Sequence, residues 1–127
     1  MVINLGFYKR KPGLSREQFS RHWESIHGPL IRSIPNIDQY LIRYVQHHLT
    51  PDIVFPMPDG QLYDGFSEAW FPSIAARTEL FGLPFFLQKV IEDERNFLDM
   101  EATRWLVIDE PKVMIPAPAE TKPAFVA

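Results

Sequence analysis

The chain has no cysteine. That excludes disulfides, thiolate metal sites and a thiol nucleophile, and it fits a reducing, cytoplasmic setting. No apolar run approaches the roughly 20 residues that a membrane span needs. Met1-Val2-Ile3-Asn4 leads directly into a strand-like stretch, without the basic-then-apolar pattern of a secretory leader. Basic residues are not clustered either. The net charge is −3 with both signs interspersed, so nothing is laid out to neutralise nucleic-acid phosphates. A glycine-rich phosphate loop is also missing, which argues against a bound nucleotide. Nucleic acid and membrane are therefore not expected partners, and no cofactor is expected.

What remains is 127 residues, enough for one domain that buries roughly two-thirds of its unfolded surface. Hydrophobic residues make up 46% and charged residues 23%. Aromatic residues reach 13%, and 10 of them are Phe. So much ring surface in a small domain lines a pocket, lines a subunit interface, or fills the core.

Phe19 to Leu30 organises the chain, because it carries two of the four histidines. Ser15 is placed as an N-cap, with Gln18 as its capping-box partner. Helical spacing then puts Phe19, Trp23, Ile26 and Leu30 on one stripe, flanked by His22 and His27. Pro29 removes a backbone donor, so a kink or end is expected near Gly28. His27 would then lie in the last turn, beside free carbonyls that favour its protonated form.

Around this helix the pattern is of strands. Val2 to Lys9 alternates, with Ile3, Leu5 and Phe7 opposed to Asn4, Gly6 and Tyr8. Ile37 to Leu49 is β-rich and partly apolar on both faces. His47 and His48 follow on opposite faces, which argues against a shared metal ion. Thr50 to Tyr63 is a long Pro-containing loop, and Phe55, Met57 and Leu62 are candidates to cover a pocket mouth. Asp64 to Phe71 alternates again, with Phe66, Glu68 and Trp70 on one face. Glu68 between two aromatics reads as a general acid or base, or as the partner of Arg43 or Arg104. A short helix is expected over Ser73 to Phe81, a second from Pro84 to about Leu98, and a strand over Glu101 to Glu110. The Glu92-Asp93-Glu94 run reads as a solvated face.

The order β-α-β-β-α-β is the ferredoxin-like α+β arrangement, one four-stranded antiparallel sheet with helices on one face. The open sheet face then needs a cover, most simply a second copy of the chain. Residues 1–112 form the expected domain, and 113–127 a Pro/Ala-rich arm.

Several motifs carry a resemblance: Phe19 with His22-Trp23 and His27-Gly28-Pro29-Leu30, Asp64-Gly65-Phe66-Ser67-Glu68 running into Trp70-Phe71, and Asp93-Glu94 with Asn96-Phe97 before Asp99. Together they resemble the EthD-domain signature across residues 1–112. The resemblance implies a dimeric α+β barrel. It also implies one of three activities: a cofactor-free lyase or isomerase of a catabolic or polyketide-type pathway, an accessory or small-molecule-binding protein serving an oxidoreductase, or a cofactor-free monooxygenase. The first moves protons on a small aromatic or lactone-like, carbonyl-activated ligand. It needs a base near neutrality and a donor for the developing enolate. In that reading His27 is the base and His22 or Tyr44 the donor. Glu68 or Arg43 orients an imidazole, and Trp23, Phe66 and Trp70 wall the site. His27 acting only as a helix cap is the other reading of the same residue.

Overall fold

Alternation in β1 (Val2–Tyr8) sends Asn4, Gly6 and Tyr8 to one face of a sheet and Ile3, Leu5 and Phe7 to the other. The computed structural model describes residues 1–50, 52 and 62–118. The four strands β1, β2 (Arg43–His48), β3 (Gly65–Phe71) and β4 (Arg104–Ile108) are all antiparallel to their neighbours, in the order β2-β3-β1-β4. With the helical segments on one face, this is the ferredoxin-like α+β fold expected from the sequence.

The register sorts the side chains. Gly6 lies opposite both Ser67 and Trp105, and Ser67 lies opposite Gln46. These residues share the inner face with Asn4, Tyr8, Tyr44 and Phe71. Two clusters pack against it: Phe19, Trp23 and Phe97 against Tyr8, and Ile31, Leu80 and Val90 against Phe71. Gly65 makes room for the first, since a Cβ there would stand 2.7 Å from Trp23 Cζ3. The outer face carries Phe66, Leu106 and Ile108, all exposed.

The helical layer comprises α1 (Arg16–His22), α2 (Gly28–Arg32), α3 (Ile74–Gly82) and α4 (Ile91–Phe97). The capping box at α1 forms as expected, with Gln18 N donating to Ser15 Oγ at 3.0 Å and Ser15 N to Gln18 Oε1 at 2.9 Å. Two expected strands are shorter than the sequence pattern implies. Asn36 adopts a left-handed conformation (φ 58°) and starts a 3-10 turn over Ile37–Gln39, so only Arg43–His48 of the β-rich stretch is strand. Asp99 Oδ1 accepts from Glu101 N and Ala102 N, and this turn delays β4 to Arg104. Phe55 and Met57 lie outside the described residues, and Leu62 is exposed. Among the described residues no helix is long and apolar enough to cross a membrane.

Candidate functional site

The helix carrying the two histidines does not end at Gly28. Between α1 and α2 it widens into a single π turn over Trp23–His27, closed by Gly28 N donating to Trp23 O. Pro29, with no N–H to donate, follows directly, and the wider turn lets the helix pass through it. The Trp23 carbonyl also accepts from Gln46 Nε2 at 2.9 Å, which ties the turn to β2. The extra residue shifts the buried stripe to Phe19, Trp23, His27 and Ile31. Ile26, expected in the core, is 52% exposed, whereas His27 is 3% exposed. This corrects the helix-end reading of His27. Burial, not a free carbonyl, dominates its environment and holds its pKa below the ordinary imidazole value, against the smaller opposing pull of Asp93.

A second π turn, Phe86–Val90, leads into α4 and rotates Asp93, Glu94 and Phe97 inward. Asp93 and Glu94 are only 8% and 7% exposed, so the acidic run is not a solvated face; only Glu92 stays outside. Asp93 is the hub of the site. His27 Nδ1 donates to its Oδ2 at 2.9 Å, His22 Nε2 to its Oδ1 at 2.9 Å, and Asn96 Nδ2 to the same oxygen at 3.2 Å. Burial alone would raise its pKa, but these donors outweigh it and keep the carboxylate ionised below the usual range. Both imidazoles also lie against the Phe97 ring, with centroids at 4.8 and 4.9 Å. Sequence reading missed the role of Asp93. The signal was its spacing of three from Val90 and four from Phe97, which puts it on the apolar stripe of α4.

With Nδ1 committed to Asp93, His27 keeps Nε2 as its acceptor, and His27 lines a cavity of about 410 Å³ between sheet and helices. That volume suits a small organic ligand. The walls are mostly aliphatic and aromatic, and the polar groups among them are few: His27, Glu94, Tyr8, Tyr44, Ser67, Asn4 and Arg77. Glu94 makes no hydrogen bond through its carboxyl among the described residues. Burial, with the nearby Asp93 charge, pushes its pKa up to about 7. Tyr8 Oη and Ser67 Oγ are 2.9 Å apart, and Tyr44 Oη accepts from Gln46 Nε2 at 3.2 Å. Burial pushes both phenols upward, so each stays a protonated donor. The Trp23 indole N–H, by contrast, is buried with no hydrogen-bond partner among the described residues.

The structure brings together only some of the residues singled out by sequence. His27 and Tyr44 line the cavity, and Trp23 packs behind it in the core. His22 sits on the far side of Asp93, away from the cavity. Arg43, Phe66, Glu68 and Trp70 are on the outer sheet face, so within one chain they do not wall the site that His27 lines. The reason is the period of two along β3: Ser67, Ala69 and Phe71 face inward, so their neighbours face out. Glu68 accepts from His47 Nε2 at 2.5 Å and Trp70 Nε1 at 2.8 Å; neither Arg43 nor Arg104 forms an ion pair with it among the described residues, though the Arg43 charge still favours its ionised form. Burial favours its neutral form, but these two donors prevail and lower its pKa, so it is not a raised acid. Arg43 lies over the Trp70 ring at 5.7 Å. His47 and His48 do face opposite ways, His47 stacking on Phe66 and His48 bonding Ser20 and Gln46. Among the described residues no three His, Asp or Glu side chains are grouped to hold a metal ion.

Comparison with known proteins agrees with this architecture. The chain is 27% identical over 112 residues to the dehydratase ustZ of Ustilaginoidea virens, an alignment covering 81% of this chain and 77% of that protein. It is likewise 27% identical over 116 residues to the dehydratase aurZ of Gibberella zeae, covering 84% and 74%. Among solved structures, an EthD family protein from Bacillus halodurans superposes with a TM-score of 0.63 at 16% identity, covering 87% of this chain and all of that one. Residues 11–101 match the sequence model of the EthD domain, and the chain therefore belongs to the EthD domain family.

Proposed function

We propose that this protein is a cofactor-independent lyase that dehydrates a small, ring-containing, carbonyl-activated substrate. The observation that carries the proposal is the Asp93–His27 pair, which leaves Nε2 unengaged on an imidazole that lines a mainly apolar cavity, with Glu94 in the same wall. The two related dehydratases favour the same reaction class. His27 Nε2 takes the proton from the carbon beside the substrate carbonyl. That electron pair forms the new C=C bond as the C–O bond of the β-hydroxyl breaks. Glu94, protonated through its raised pKa, supplies the proton with which the hydroxyl leaves as water. Tyr44 donates to the carbonyl oxygen as enolate character develops. Asp93 holds the imidazole in the required tautomer and stabilises its charged form, the role first assigned to Glu68 or Arg43. His22 acts through Asp93. The uncovered outer face is where this proposal seats a second copy of the chain.

A direct test uses 3-hydroxy-1-tetralone, whose loss of water yields fluorescent 1-naphthol. The protein is expected to accelerate the reaction, and His27→Gln to slow it by about 10²–10⁴-fold, the range for general acid–base catalysis. Ligand uptake without turnover would support the accessory or binding role instead, and oxygen consumption the monooxygenase.

A further inference from the structure

Arg77 is not explained by the proton-transfer machinery. It projects from α3 onto the cavity wall, half-buried, with its Nε donating to Asn4 Oδ1 at 2.9 Å and its guanidinium 4.9 Å over the Phe81 ring. No carboxylate among the described residues pairs with it, although Glu94 lines the same cavity. Removing a guanidinium from water without a counter-charge is costly, so a charge held this way at an apolar cavity calls for a compensating partner. The ring of Phe81 and the oxygen of Asn4 orient the group, and among the described residues both terminal nitrogens are left to donate. Asn4 is buried; its Oδ1 already accepts from Arg77, and its Nδ2 has no partner among the described residues and can donate. This wall of the cavity thus offers donors from both Arg77 and Asn4.

Asn4 sits four residues along β1 from Tyr8, about 13 Å of strand. The cavity is therefore polar at separated places, with apolar surface between them.

We infer that Arg77, with Asn4, anchors an ionised oxygen of a planar ligand in this cavity, a carboxylate or the enolate of a 1,3-dicarbonyl. This deepens the dehydratase reading, on which it rests for the identity of the site, by assigning the substrate a negative charge. A planar two-oxygen group matches the fork of a guanidinium and accepts two parallel hydrogen bonds from it.

Calorimetric binding to the intact protein tests the anchor, with three probes: 2-naphthoate, 2-acetylindane-1,3-dione as a stable enolate, and uncharged 2-naphthamide. The wild type is expected to bind at least one anion ten or more times tighter than the amide, and which anion wins separates carboxylate from enolate. Arg77→Met should bring that ratio to about one while amide binding persists, and Arg77→Lys should keep part of it. Equal binding of all three probes, no binding of either anion, or an unchanged ratio in Arg77→Met would overturn the inference. His27→Gln should retain the preference for the anion while losing 1-naphthol formation. A failed anion preference with intact turnover therefore removes only the anchor, and the reverse removes only the dehydratase reading.

Discussion

Asp93 Oδ2 accepts from His27 Nδ1 at 2.9 Å across 66 residues of sequence, and its other oxygen accepts from His22 at the same distance. Asp93→Asn keeps an oxygen for one imidazole and removes the charge that stabilises its protonated form. Turnover should fall about 10²-fold or more while the fold survives, as steady-state kinetics beside circular dichroism would report. Asp93→Ala leaves buried donors unpaired and should cost about 1–3 kcal/mol for each, measurable by urea denaturation.

Glu94 sets a pH dependence with a definite sign. Its pKa is raised from 4.5 to about 7 in the folded chain, so between those values the folded state binds more protons than the unfolded one. Its contribution is fully favourable below about pH 4.5 and is lost as the pH rises through 7, on the order of 3 kcal/mol in all. Glu94→Gln should remove that slope and raise stability at pH 8 more than at pH 5. Denaturant titrations at both pH values check it; parallel curves for mutant and wild type would contradict the assignment.

His27 contributes the opposite slope. Its folded pKa is depressed, so the unfolded chain takes up more protons and stability falls as the pH drops below about 6.5, until the folded value is reached. In a Glu94→Gln background this acid-side loss should appear together with that of His48, whose pKa burial also lowers, and His27→Gln should reduce it while the His48 share persists. The comparison needs only thermal melts from pH 4 to 8.

Two glycines hold the aromatic side of the site open. At Gly65 an added Cβ would meet His47 O and Trp23 Cζ3, both at 2.7 Å; at Gly6 it would meet Tyr8 Oη at 2.5 Å. Gly65→Ala presses against backbone and a packed indole, so it should cost about 1–3 kcal/mol. Gly6→Ala displaces the Tyr8 hydroxyl from Ser67 and should reshape the cavity, lowering probe affinity more than stability.

Phe97 supports both imidazoles and is fully buried. Phe97→Ala should cost about 3–5 kcal/mol. Phe97→Leu should keep most of the stability but lower turnover, because the rings lose the surface that fixes their tilt. NMR line widths of the two histidines would report the loosening.

Local pattern alone determined the element order, the capping box at Ser15, the two faces of β1 and β3, and the burial of Phe19 and Trp23 on one helix stripe. Each of these depends on spacing within a few residues, which the chain carries with it. The cavity's polar groups were less legible. Alternation placed Phe66, Glu68 and Trp70 on one face together but does not say which face meets the helices; that choice follows from Ser67, Ala69 and Phe71 packing inward. A uniform 100° step put Ile26 in the core, whereas the π turn, stabilised by Gln46 from another strand, put His27 there instead. Asp93 looked solvated because charged triplets on helices usually are; two imidazoles from a helix distant in sequence, with Asn96 beside them, satisfy its buried carboxylate. Hydrogen bonds and packing between segments far apart in sequence thus decided which of the chain's titratable groups became a site.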